Sequence, residues 1–95
     1  MAKKAITREQ KYKDALAISG IEWATVKVAC YSFPEEYEVN LFHFVLMNAG
    51  VNYILFDGAE TSAYIILEKD DNVSPQKIAE IAGELGGKER TPNLY

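Results

Sequence analysis

The stretch Ala49-Gly-Val-Asn-Tyr-Ile-Leu-Phe-Asp-Gly-Ala-Glu-Thr-Ser-Ala-Tyr-Ile-Ile-Leu-Glu68 most constrains what this chain can fold into. It reads as two strands around an Asp57-Gly58 turn, entered directly from the end of a helix. Antiparallel pairing sets even-numbered residues of the first strand beside odd-numbered residues of the second. Ile54 and Phe56 then share a face with Ala63, Ile65 and Leu67, while Val51, Tyr53 and Leu55 share the other with Tyr64 and Ile66. Both faces are apolar, so one covers the core and the other needs a cover of its own. The first set is expected on the core, because Asn52 and Glu68 then fall near strand ends.

The flanking segments supply the remaining elements. Thr7 and Gln10 have capping-box spacing and Gly20 is a helix stop, which predicts a short leading helix with Tyr12, Ala15, Leu16 and Ser19 on a narrow face. From Ile21 to Phe33 the chain alternates as a strand. Ala24, Val26, Val28 and Cys30 form a purely apolar set expected on the core, leaving Trp23, Thr25, Lys27, Ala29 and Tyr31 on the other face. Pro34 opens a second helix with Glu35, Glu36 and Glu38 in its first turns, where negative charge suits the dipole. Its expected buried stripe is Leu41, Phe42, Val45, Leu46 and Ala49, with Phe44 and Met47 off it. Ser74-Pro75 starts a third helix with Ile78, Ile81, Ala82 and Leu85 on one side, ended by Gly86-Gly87. A last strand falls in 88–95, restricted to a sheet edge by Pro92.

The expected fold is therefore α+β, with a βαββαβ antiparallel sheet of ferredoxin-like type, two helices on one face and a short N-terminal helix. The organisation is a 1–20 extension and a 21–95 domain. A chain of 95 residues buries roughly 60–65% of its unfolded surface, enough for one core. A net charge of −4 argues against nucleic acid, which demands clustered Lys and Arg. The single cysteine rules out an internal disulfide framework, and Cys30 is expected to be a buried, inert thiol. No segment approaches the ~18 apolar residues of a membrane span. The opening Met1-Ala-Lys-Lys-Ala-Ile-Thr-Arg-Glu-Gln10 has no apolar signal core, so a cytoplasmic location is expected.

From about Thr25 to Gly87 the chain resembles an ACT domain, a small regulatory βαββαβ module. Asn48-Ala-Gly-Val-Asn-Tyr-Ile54 is similar to that family's helix-end Gly and Val-Asn strand start, and Ala63-Tyr-Ile-Ile-Leu-Glu-Lys-Asp-Asp71 to its third strand and acidic loop. Of the family's Asp-x-Pro-Gly effector turn, Tyr31-Ser-Phe-Pro-Glu35 keeps only the proline. The resemblance thus implies the fold and a habit of pairing through sheets or helices. An RNA-recognition motif shares the topology, but its basic, glycine-bearing signatures are missing and the flanks are acidic.

Catalytic chemistry finds no constellation. His43 stands alone between two phenylalanines, and a metal site needs more ligands. Glu35, Glu36 and Glu38 read as a solvated helix start. Asp70-Asp71-Asn72 lacks the Gly and distal Glu of a calcium loop. No catalytic residue, metal or cofactor is expected. What remains is an open sheet face carrying Trp23, Tyr31, Tyr53, Leu55, Tyr64 and Ile66. Its cover is the leading helix, a second copy, or a different protein. The leading expectation is a regulatory module that forms a homodimer and senses a small-molecule effector at a seam near Ser32, Phe33 and Asn52. The alternative is a small acidic inhibitor or adaptor, of the kind phages direct against host defence, that blocks a heterologous protein partner.

Overall fold

A computed structural model of the chain describes residues 6–70 and 73–95. In order they form α1 (Arg8–Ile18), a 3-10 turn (Trp23–Thr25), β1 (Val26–Ser32), α2 (Glu36–Asn48), β2 (Leu55–Ala59), β3 (Ser62–Glu68), α3 (Val73–Glu84) and β4 (Lys88–Arg90). The class is α+β: the strands form an antiparallel sheet in the order β2-β3-β1-β4. No helix among the described residues is long and apolar enough to cross a membrane.

Helices α2 and α3 pack on one sheet face. The core there joins Val39, Phe42 and Leu46 of α2, Ile78, Ile81 and Ala82 of α3, and Tyr31, Phe33, Ala63, Ile65 and Leu67 of the sheet side. Phe42 is its centre, with ring centroids 5.7 Å from Tyr31, 5.0 Å from Phe33 and 6.0 Å from Phe56. Leu41 and Ala49, expected in the buried stripe, lie at the surface, and Val39 takes the place on the core side. The α2 helix starts at Glu36; Glu35 is its N-cap, and the Glu35 N–H donates to Glu38 Oε1 at 3.0 Å. Beyond α3, Gly87 is forced by close approach, since a Cβ there would lie 2.5 Å from the Phe33 ring.

The other sheet face carries a second core. Tyr12 and Leu16 of α1 cover Val26, Cys30, Tyr64 and Ile66, with Val28, Ile54, Leu55 and Trp23 at the margin. This reverses the expected orientation of β1. Directly opposed residues of antiparallel strands project to the same side, and Ala29 is paired with Ile65 and Tyr31 with Ala63. Once Ile65 and Ala63 face α2 and α3, Ala29 and Tyr31 must follow. Val26, Val28 and Cys30 then go under α1. The strand also starts later than the alternation suggested, because Trp23 to Thr25 form the 3-10 turn.

The hairpin turns at Glu60-Thr61 rather than Asp57-Gly58, closing on the Ala59–Ser62 pair. Glu60 takes the left-handed conformation, φ 55°, that such a turn requires. Gly58 lies inside β2, where a Cβ would come within 3.1 Å of the Val39 side chain. At the start of β2 the Ile54 N–H donates to the Ile66 carbonyl at 2.7 Å, while Leu55 is itself the register partner of Ile66. Two residues thus oppose one, as in a bulge. The alternation breaks there, so Val51 and Tyr53 pack toward α2 while Ile54 and Leu55 both join the second core.

Candidate interaction surfaces

Packing divides the expected sheet-face site. Trp23, Leu55, Tyr64 and Ile66 belong to the second core, with Tyr64 and Ile66 buried beneath α1. Tyr31 and Tyr53 lie on the opposite side of the sheet, against α2. The six residues therefore do not share a surface, and the part that does cluster is closed by α1. The leading helix is the cover among the three weighed.

Its attachment is specific. Thr7 Oγ1 caps α1 by accepting from the Gln10 N–H at 3.1 Å, and the Glu9 N–H donates to the Leu94 carbonyl at 2.9 Å. One oxygen of Asp57 accepts from Tyr12 Oη at 2.7 Å and Arg8 Nη1 at 3.1 Å, and pairs with Lys11 Nζ at 3.5 Å. The Arg8 guanidinium lies 4.0 Å above the Tyr64 ring centre, a cation–π contact. Burial, reinforced by Asp57, pushes the Tyr12 phenol up, against the opposing influence of Arg8. Burial likewise pushes the Cys30 thiol up, against the opposing influence of Tyr64, Arg8 and Arg90. A protonated, buried thiol is no nucleophile.

The expected ligand seam is not assembled within one chain. Ser32 ends β1 opposite Ser62, and its Oγ accepts from Arg90 Nε at 3.0 Å. Phe33 is buried beside Phe42. Asn52 is at the other end of the sheet, where with Tyr53, Ile54 and Glu68 it lines a cleft of about 240 Å³. An adjoining cleft of about 470 Å³ shares Ile54 and Glu68 and is otherwise bounded by Gly20, Ile21, Glu22, Thr25, Lys69 and Asp70. His43 stacks on Phe56 at 4.1 Å between centroids, nearly parallel, which gives it a packing role. No group of three or more His, Cys, Asp or Glu among the described residues is arranged to hold a metal ion. Asp71 and Asn72, part of the segment compared with a calcium loop, lie outside the described residues.

One surface escaped the sequence reading. On α2, Tyr37, Leu41, Phe44 and Met47 are 66%, 40%, 63% and 62% exposed. Tyr37, Leu41 and Phe44 have i, i+4, i+7 spacing, so they line one side of the helix with Met47 alongside. That side is turned away from Val39, Phe42 and Leu46, which bury the opposite one. The helix is thus apolar on two faces. The legible signal was Phe44 and Met47 falling off the core stripe; Tyr37 was masked by its glutamate neighbours. Comparison with family models, with curated proteins and with solved structures finds no match to this chain.

Proposed function

We propose that this chain is a non-catalytic interaction module on the ferredoxin-like plan that ACT domains use, and that it works through the outer face of α2. The central positions of β1 and β3, with α2 and α3 together on one face, support that plan. The observation carrying the functional reading is the row of Tyr37, Leu41, Phe44 and Met47, which α2 holds in solvent while its other side holds the core. Side chains of this kind expose on the order of 400 Å² together, within the ~300–600 Å² of the largest patch on a typical monomer, which is often functional. Aromatic residues and methionine are also the types enriched at interfaces. A homodimer through the tyrosine-bearing sheet face would need α1 to leave first, and the effector-seam residues stand at opposite sheet ends.

A display selection tests this reading. Peptide binders selected against the whole folded chain, without bias toward any site, are expected to concentrate on α2 and to lose binding to the Tyr37→Ser/Phe44→Ser double variant. If the selected binders hold the double variant as tightly as the parent, the α2 face is not the working surface.

A further inference from the structure

Building on the α2 reading, we infer that the occupant of this face is an amphipathic helix of another protein, carrying Lys or Arg at the end that meets the exposed Glu35 and Glu36. Charge and area both point to it. The apolar row runs from Tyr37, in the acidic first turn, to Met47, in a last turn without charge: Val45, Leu46, Met47 and Asn48 bring none. Glu35 and Glu36 are exposed at the acidic end. The ion pairs of the described residues are Arg8–Asp57, Lys11–Asp57 and Lys13–Glu9, so neither of these glutamates is neutralised in one.

A second copy is the poorer fit. Laid parallel, two α2 helices bring their glutamates together. Laid antiparallel, each acidic turn meets the partner's carbonyl end, where the dipole already carries negative charge. The area is also small. On the order of 400 Å² is about half the ~800 Å² that each partner gives to a standard interface between globular proteins. One helix lying along α2, with apolar anchors at i, i+4 and i+7, matches the row in length and spacing. Basic residues at its end give ion-pair partners to an acidic turn that the helix dipole offsets only in part, and so act as a steering and register element.

Two labelled 16-residue amphipathic peptides with the same leucine stripe, one lysine-bearing and one glutamate-bearing, probe this by fluorescence anisotropy against the full chain. The lysine peptide is expected to bind at least about tenfold more tightly than the glutamate peptide. That affinity should fall about tenfold with Phe44→Ser, as for a central anchor. It should fall again with Glu36→Lys and with added salt. Matching circular dichroism and melting midpoints keep the variants interpretable. Equal binding of both peptides, with loss on Phe44→Ser, overturns the charged-partner inference and leaves the α2 surface standing. Binding indifferent to Phe44→Ser overturns both. Binding by neither peptide overturns the helical partner and leaves the display selection to judge the surface. A molecular mass that doubles with concentration, and no longer does so in Phe44→Ser, assigns the face to a second copy instead.

Discussion

Tyr31 is 3% exposed, and burial, helped by the nearby charge of Glu89, pushes its phenol up to about 12. An unfolded chain gives up a tyrosine proton near pH 10. Between those values the folded chain binds the extra proton, so stability is complete below pH 10 and falls as pH rises toward 12. The loss from this one side chain is up to about 1.4 kcal/mol per pH unit. Tyr12 is shifted in the same direction and adds to the fall. Urea midpoints of the parent and Tyr31→Phe at pH 9 and pH 11 measure it: the parent should lose more stability than the variant across that interval. Equal losses would mean that the Tyr31 phenol already meets solvent in the folded chain. At this scale the sequence was legible for chemistry and poorly legible for direction. The tyrosines, the lone cysteine and the helix stops were all identifiable, and Cys30 is indeed buried. Which way Tyr31 points depended on its pairing with Ala63, a contact between distant segments that local alternation does not contain.

Helix α1 contributes Tyr12 and Leu16 to the second core and little else that is apolar, since Ala15, Ala17 and Ile18 are exposed. Burying those two side chains is worth about 1.5–3 kcal/mol each, and a helix of 11 residues does not hold without such docking. Leu16→Ala, at a site 2% exposed, costs about 2–5 kcal/mol. That is comparable to the whole attachment, so the expected result is an undocked α1 over an otherwise folded sheet. Hydrogen exchange should find α1 amides unprotected with β3 amides still protected, and a dye that binds apolar surface should gain signal from Leu55, Tyr64 and Ile66. Simultaneous loss in α1 and β3 would instead make the two cores one cooperative unit. The elements themselves, α1 included, were readable from caps, breakers and periodicity. Two features were not. The Asp57-Gly58 pair looked like the turn, yet Asp57 is held by Tyr12 and Arg8 and Gly58 by the approach of Val39, so the turn falls at Glu60-Thr61. The doubled residues opposite Ile66 then reassign Val51 and Tyr53 to the α2 side, which strict alternation could not anticipate.

In the whole molecule the sheet is covered on both faces, by α2 and α3 on one and α1 on the other. The exposed apolar side chains that gather along one element among the described residues are those on the outside of α2, while Ile6, Ile18, Val73 and Tyr95 are exposed elsewhere. An open sheet face was the natural inference from a two-faced hairpin. The chain resolves it internally by folding its own first helix back. That moves the question of function from the sheet to a helix and to two phenylalanines one residue apart on either side of His43. Phe42 is fully buried among Tyr31, Phe33 and Phe56, so Phe42→Ala should cost about 3–5 kcal/mol through lost contacts and the cavity left behind. Phe44 is 63% exposed and lies outside both cores. Phe44→Ser should therefore stay within about 0.5 kcal/mol of the parent. Urea unfolding of the two variants side by side makes the comparison, with the parent's m-value as the check on two-state behaviour. If Phe44→Ser also costs several kcal/mol, Phe44 serves the fold and the outer face of α2 loses its claim as a contact surface. If the two separate as expected, stability does not account for an aromatic side chain at position 44. Its exposed ring, in line with Tyr37 and Leu41, is then available as an anchor for a partner.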